Sequence, residues 1–163
     1  MLRYLTDVLP VVLREYPGST GTLAVRTRHR VHLRHIDINR HMNQAAYPRM
    51  AELSRISWLY RSGAWPRWTG RGINPIVASQ SVTYRRELKP LQRFEIDNRA
   101  VGIDGRLLQI AHTFVVGDRV HATNAVSVLF VGGDGVLDPD AARLVCADLL
   151  TDPLKVENWT VAG

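Results

Sequence analysis

Between residues 23 and 33, apolar and polar side chains alternate with a period of two. Leu23, Val25, Thr27, His29, Val31 and Leu33 fall on one side, and Arg26, Arg28, Arg30 and His32 on the other. Successive side chains of an extended chain point to opposite faces, so this spacing predicts a half-buried strand with a basic outer face. Upstream, residues 2–14 read as a short helix, and Pro17-Gly18-Ser19-Thr20-Gly21 as a loop. Downstream of Asn43 or Gln44 the pattern becomes helical through Met50, Leu53, Ser54, Ser57, Trp58 and Tyr60. Pro48 fits only in the first turn of that helix, where its missing N–H costs nothing, and Gly63 is a natural stop. Ala45, Ala46, Ala51, Ser54 and Ser57 keep much of the helix surface small, so other structure can wrap it closely. Residues 65–70 read as a loop, followed by strand-like segments at 73–86, 93–103, 107–116 and 119–131. Asp104-Gly105 and Gly117-Asp118 mark tight hairpin turns between the later segments. A helix over about 138–150, then a tail, ends the chain. The order predicts an α+β layout, with one long helix to wrap and an antiparallel meander of four long strands. The other sheet face and its edges then need a cover, for which a second copy of the chain is the simplest.

Length and composition narrow the class. At 163 residues, 45% hydrophobic and 22% charged, the chain has the size and make-up of one soluble globular domain. No apolar run approaches the roughly 18 residues needed to cross a bilayer, and the first residues are too interrupted for a secretory leader. The lone Cys146 excludes an internal disulfide and a cysteine-rich metal site. It lies in an amphipathic helical pattern where a buried structural cysteine is expected, and the chain reads as cytoplasmic. Net charge is +6, and arginine supplies 19 of the 21 cationic residues. Such a balance suits a phosphate-bearing small molecule, nucleic acid or anionic lipid, or simply solvated arginines. No cationic run exceeds Arg85-Arg86 and no nucleic-acid-binding motif is present, so nucleic acid is not the expected partner.

The segment that carries candidate chemistry is Asp37-x-Asn39-x-His41-x-Asn43, set between the first strand and the long helix. In an extended or loosely coiled segment every second side chain points the same way, so Asp37, Asn39 and His41 are expected to converge. They do so just ahead of a helix N-terminus with its backbone donors. A carboxylate, an amide, an imidazole and a ring of N–H groups suit hydrolysis. The spacing is not that of a zinc hydrolase: there is no His-Glu-x-x-His, and the remaining histidines are scattered. No metal and no cofactor are expected.

The motif resembles that of the hotdog-fold thioesterases of the 4-hydroxybenzoyl-CoA thioesterase-like superfamily. The resemblance covers about residues 23–131. It includes the first strand, the loop Asp37-x-Asn39-x-His41-x-Asn43-x-x-x-Tyr47, a helix bearing Glu52 and Arg55, and the strand end Val82-Thr83-Tyr84-Arg85-Arg86-Glu87-Leu88-Lys89-Pro90. The motif itself is similar to that of acyl-ACP thioesterases, while the chain length is that of stand-alone acyl-CoA enzymes. The resemblance implies a curved antiparallel sheet of about five strands around one central helix. It also implies a homodimer or homotetramer with active sites at the subunit interface, and an acyl-CoA or acyl-carrier-protein thioester as substrate. Asp37 then takes the place of the residue that attacks the thioester or activates water, Asn39 and His41 hold it, the carbonyl or the water, and the helix-opening N–H groups form an oxyanion hole. Gln44 stands where a second asparagine often follows, and Glu52, on the helix, is a rival carboxylate.

Each residue also has a plainer reading. Asp37 and Asn39 suit a turn in which side chains satisfy their own backbone. His41 suits packing behind that turn, Asn43 the helix cap, and Tyr47 packing or a hydrogen-bond prop. Glu52 and Arg55, three apart, suit a surface pair or a buried brace of the site. Arg85, Arg86 and Lys89 suit the phosphates or pantetheine arm of CoA, an acidic carrier protein, or solvent. Trp58, Trp65 and Trp68 suit an acyl channel or core packing. A non-catalytic acyl-ligand-binding protein and a hotdog hydratase or dehydratase remain the alternatives to hydrolysis.

Overall fold

The computed structural model describes residues 2–15 and 18–154. Pro17 of the expected first loop, and the tail from residue 155, lie outside the described residues. Helix α1 (Leu2–Glu15) precedes strand β1 (Val25–Arg30), which leads through a single 3-10 turn at Leu33–His35 to the long helix α2 (Ala46–Arg61). A short helix α3 (Ala64–Thr69) comes next, then strands β2 (Asn74–Tyr84), β3 (Arg93–Asp104), β4 (Leu107–Val116) and β5 (Arg119–Gly132). The two-residue strand β6 (Gly135–Val136), helix α4 (Pro139–Cys146) and a 3-10 turn at Ala147–Leu149 follow.

All the sheet pairings are antiparallel, in the order β1-β3-β4-β5-β2 with β6 as an appendage of β5. The expected meander of four strands is therefore wrong by one: β3, β4 and β5 form a meander, but β2 pairs with β5 at the far edge. Residues 85–92 carry the chain back across the sheet, and they are too many for a tight hairpin. The Arg85 and Arg86 amides still bond β5, at His121 O, but from Leu88 on the backbone bonds reach β1's end and the motif loop: Leu91 N to Val31 O, Val31 N to Gln92 O and Met42 N to Leu88 O, at 2.8–3.0 Å. Leu88, fully buried, pins the crossing in the core.

Helix α2 lies in the hollow of this sheet. Tyr47, Met50, Ala51, Ser54, Ser57 and Trp58 recur at helical spacing and are buried, and no residue of α2 is exposed. Helix α1 closes its other side through Asp7–Arg49 (3.3 Å) and Glu15–Arg61 (2.6 Å). The core is two apolar clusters, and a row of polar residues runs between them. Asn98, His112 and Asn124, side by side on β3, β4 and β5, occupy the rung between Ile96, Phe114, Ala122 and Ala100, Ile110, Val126. All three polar residues are fully buried. Asn98 Nδ2 donates to Ser54 Oγ on α2 and to Val25 O, so its Oδ1 is free to accept from His112 Nδ1 at 2.6 Å, which fixes the proton on that nitrogen. Ser54 and Thr27 hydroxyls bond each other, and Thr27 Oγ1 bonds His29 Nε2 at 2.8 Å.

Two further expectations change. The expected loop at 65–70 is the helix α3: Ala64 and Trp68 are fully buried, and Trp68 Nε1 donates to Val145 O, which recruits the segment into the core. The expected C-terminal helix stops at Cys146, after a start capped by Asp138 Oδ1 on the Asp140 and Ala141 amides, and continues only as a 3-10 turn. Cys146 is buried, its thiol donates to Ala142 O, and burial pushes it up to about 11, which leaves no thiolate for chemistry.

Candidate active site

The motif loop is tightly turned rather than extended. Ile36 and Met42 bridge across it, Asp37 N donates to His41 O, Arg40 N donates to Asp37 O, and Arg40 takes the left-handed conformation (φ 62°) that closes the turn. Asp37 Oδ1 accepts the Asn39 N–H at 2.9 Å, which is the turn-forming role available to any aspartate. Its second oxygen is 3.7 Å from His41 Nδ1. The carboxylate therefore has one oxygen committed to the backbone and one toward the imidazole, with about a fifth of the side chain still exposed.

Asp37, Asn39, His41, Asn43 and Tyr47 line one open cavity of about 550 Å³, together with Arg85 and Arg86. The convergence expected from alternate spacing is thus present, but a turn produces it, not alternation. Met42, Gln44, Tyr84 and Glu87 complete the wall. Sequence reasoning did not single out Tyr84 or Glu87, although both lie in the strand-end segment it quoted. Tyr84 stands two residues from Val82 on the same strand period, and its hydroxyl donates to Gln44 O at 3.2 Å.

The start of α2 is organised by Asn43. Its Oδ1 accepts the Ala45 N–H at 2.8 Å and its carbonyl accepts the Ala46 N–H at 2.9 Å, so it closes the turn that leads into the helix. The Tyr47 N–H reaches Gln44 O at only 3.4 Å. Of the helix-opening amides expected to form an oxyanion hole, two are thus well engaged within the turn and Tyr47 N is loosely held. The Tyr47 ring is buried between Tyr84 and Phe114, at centroid distances of 5.0 and 5.2 Å. Burial pushes its hydroxyl up to about 12, against a Leu88 backbone hydrogen bond that lowers it, so Tyr47 remains a neutral prop.

Glu52 and Arg55 do not line this cavity. They border a second one of about 320 Å³, walled by Val8 and Val12 of α1, Trp65 and Trp68 of α3, Val77 of β2 and Ile110 of β4. Glu52 takes the Arg49 guanidinium at 2.9 Å. Of the three tryptophans, Trp58 and Trp68 are fully buried, Trp58 Nε1 donates to Leu23 O, and only Trp65 and Trp68 reach the cavity. Lys89 lies outside the Asp37 cavity, in an adjoining one, and pairs with Glu87 at 3.7 Å. Among the described residues, no group of three or more histidine, cysteine, aspartate or glutamate side chains is placed to hold a metal ion, and no helix is long and apolar enough to cross a membrane.

Comparison with known proteins agrees with this architecture. The profile of the thioesterase-like superfamily matches residues 31–145. Protein THEM6 of Xenopus laevis is 30% identical over 80 residues, which are 49% of this chain and 39% of that protein, so the chain spans well under half of that relative's length. Among solved structures, the probable thioesterase YbaW of Escherichia coli superposes with a TM-score of 0.70 at 18% identity, covering 77% of this chain and 98% of that one. The protein SAV2348 of Staphylococcus aureus, solved in complex with CoA, superposes with a TM-score of 0.62 at 16% identity, covering 81% and 87%. At these identities the superpositions establish the fold: a curled antiparallel sheet around a central helix, the hotdog arrangement. With the profile spanning the motif loop, the central helix and the strands that enclose it, the chain belongs to the thioesterase-like superfamily.

Proposed function

We propose that this protein hydrolyses acyl-CoA or acyl-carrier-protein thioesters to a free acid and a thiol, without metal or cofactor. The observation that carries the reading is the meeting of Asp37, Asn39 and His41 in one cavity at the start of the buried helix, in a thioesterase-like fold. Asp37 is the base or the nucleophile. As base, it takes a proton from water while the water oxygen bonds to the thioester carbon; the C–S bond then breaks and the thiolate leaves, to be protonated by solvent or by Asp37. As nucleophile, its oxygen facing His41 bonds to the thioester carbon while the C–S bond breaks and the thiolate leaves to be protonated by solvent; water then opens the mixed anhydride to the acid and regenerates Asp37. His41 and Asn39 position that carboxylate or the carbonyl, and the loosely held Tyr47 N–H is the helix-opening donor best placed to turn to the oxyanion. Asn43 and Tyr47 shape the binding wall, and Arg85, Arg86 and Lys89 face the leaving group's phosphates or pantetheine arm. A panel of acyl-CoA substrates of different chain length and aromaticity, assayed by free-thiol release after chelation of metals, tests the reading. Turnover of at least one member is expected; release no faster than buffer across the whole panel, and with acyl carrier protein thioesters, refutes it.

The reading includes a homodimer or a dimer of dimers, formed edge to edge through β2. The two sheet edges differ in a telling way. Edge strand β1 carries Arg26, Arg28 and Arg30, charges of the kind that blunt an edge. Edge strand β2 has no charged residue in its 11 positions, and it exposes Ile76, Val77 and Tyr84. A symmetric antiparallel pairing centred on Ser79 sets Tyr84 of one copy opposite Asn74 of the other. The Asp37 cavity of one copy then borders the Glu52–Arg55 cavity of the other, which offers the acyl chain a largely apolar lodging and keeps Glu52 within the composite site. Sedimentation at micromolar concentration is expected to give a dimer or larger even-numbered assembly; a folded, active monomer would exclude both the pairing and the shared site.

A further inference from the structure

A third cavity, of about 590 Å³, adjoins the one around Asp37 and shares Arg86 and Glu87 with it. Its other walls are Lys89 and Gln92 of the crossing, Val116 at the end of β4, and Arg119 and His121 of β5. The two cavities form one groove running from the motif loop to the β4–β5 hairpin. The far end holds three cations (Arg86, Lys89 and Arg119) and a single carboxylate, that of Glu87.

This end of the groove is built from tied backbone. The amides of Arg85 and Arg86 both donate to His121 O, at 2.9 and 3.0 Å, so the strand end bearing Arg86 is fastened to the strand bearing His121. The crossing is closed on itself by Gln92 Oε1, which accepts the Lys89 N–H at 2.8 Å. The His121 side chain, in a residue only 8% exposed, is oriented by its Nδ1, which lies 2.9 Å from Glu87 O. A carbonyl can only accept, so Nδ1 carries the proton and Nε2 the lone pair. Arg119 is placed by the hairpin, whose Gly117 has the positive φ (58°) that such turns need.

We propose that Arg119 and His121, with Arg86 and Lys89, form an anion subsite for the phosphate groups of a nucleotide-bearing thiol, that is, the CoA half of the substrate. The inference rests on the thioesterase reading and extends it: the acyl carbon sits at Asp37 and the phosphates sit at the hairpin, with the pantetheine arm along the shared Arg86–Glu87 wall. Burial first, and then the positive charges of Arg86 and Arg119, hold the His121 imidazole below its ordinary value, so it is neutral with a lone pair on Nε2. A phosphate beside it favours protonation and turns Nε2 into a third donor alongside the guanidinium groups. Glu87, Arg86, Lys89 and Arg119 are the charged groups that face it, and the net balance favours an anion.

Two variants separate the atoms involved. Arg119→Ala removes one charge. His121→Asn keeps a donor for Glu87 O and removes only the group at Nε2. Binding of CoA itself is followed by calorimetry at low and high salt. Hydrolysis is followed with matched acyl-CoA and acyl-pantetheine thioesters, the latter lacking the nucleotide and its phosphates. Arg119→Ala is expected to weaken CoA binding about tenfold, the scale of one lost charge-assisted hydrogen bond, with a shallower salt dependence. The same variant should lower kcat/KM for acyl-CoA about tenfold relative to the pantetheine thioester, through KM. His121→Asn should act in the same direction, by about threefold to fivefold. CoA binding unchanged in both variants, or equal losses on the two thioesters, overturns the subsite, as does a wild-type protein that binds no CoA. A selective loss on carrier-protein thioesters alone would also overturn it in favour of a protein partner. CoA binding weakened as expected, in a protein that hydrolyses neither thioester, would uphold the subsite and refute the thioesterase reading instead.

Discussion

Asp37→Asn should lower kcat for thioester hydrolysis by at least about 10²-fold while the protein stays folded. The substitution suits the local geometry. An asparagine Oδ1 can still accept the Asn39 N–H that the carboxylate now accepts at 2.9 Å, so the turn and its Ile36–Met42 bridge are retained. What is lost is the second oxygen, which faces His41 Nδ1 at 3.7 Å, and with it both a proton acceptor and a nucleophile. An amide nitrogen there can do neither job. Because the loss falls on a step made in the transition state, kcat and kcat/KM should fall together. Turnover in the Asn variant close to that of the wild type would end the assignment. If Glu52→Gln were inactive instead, the carboxylate would have to be the one on the helix, contributed across the subunit interface.

The second large effect is on stability, and it comes from the polar row in the core. His29 stacks on Phe94 and bonds Thr27 Oγ1, and burial together with the Arg14 charge lowers its imidazole to about 4. His112 is fully enclosed, and burial, aided by the positive charge of Arg55, puts it well below its usual value. In the unfolded chain both regain a value near 6.5, so as the pH falls below that value the unfolded state binds more protons than the folded one. Stability from these two groups is therefore complete above pH 6.5 and is lost as the pH falls. By pH 5 the loss from His29 alone is about 2 kcal/mol, and His112 adds to it in the same direction. That is a large share of the stability of an ordinary domain. Urea midpoints measured from pH 7.5 to 5 should fall steeply, and His29→Gln, which keeps a group able to bond Thr27, should make that fall shallower. Midpoints that stay level over this range would mean that neither histidine is held neutral by the fold.

The uncharged β2 edge and the motif loop show different routes from residues to structure. Strand β2 is an open edge whose own residues are uncharged and whose neighbour β5 covers only one side, a property that can be read along 11 consecutive positions once the strand is known to be an edge. That knowledge is not local. It depends on where residues 85–92 take the chain, and those residues bond to Val31 and Met42, tens of positions upstream.

The same division runs through the whole molecule. Period-two alternation, the shift to helical spacing after Gln44, and the glycines at positions 105 and 117 with positive φ are short-range features, and steric limits on φ and ψ make them legible in sequence order. They placed four of the five long strands to within about two residues at each end, with β1 shorter than expected, and they identified α2 and the loop that bears Asp37, Asn39 and His41. Local features also hinted at Asn43's part in opening the helix, since an asparagine side chain reaches only its near backbone. Tertiary structure alone decided the rest. It put β2 at the sheet's far edge, drew 64–69 into a helix by burying Trp68, and set Glu52 in a different cavity from Asp37. It also aligned Asn98, His112 and Asn124 across three strands and brought Arg119 and His121 beside Arg86. Those partners are 12 to 35 residues apart, and no local preference encodes such a meeting. It follows from strand register and from a chain crossing whose free energy lies in burying Leu88 and satisfying backbone groups elsewhere in the fold.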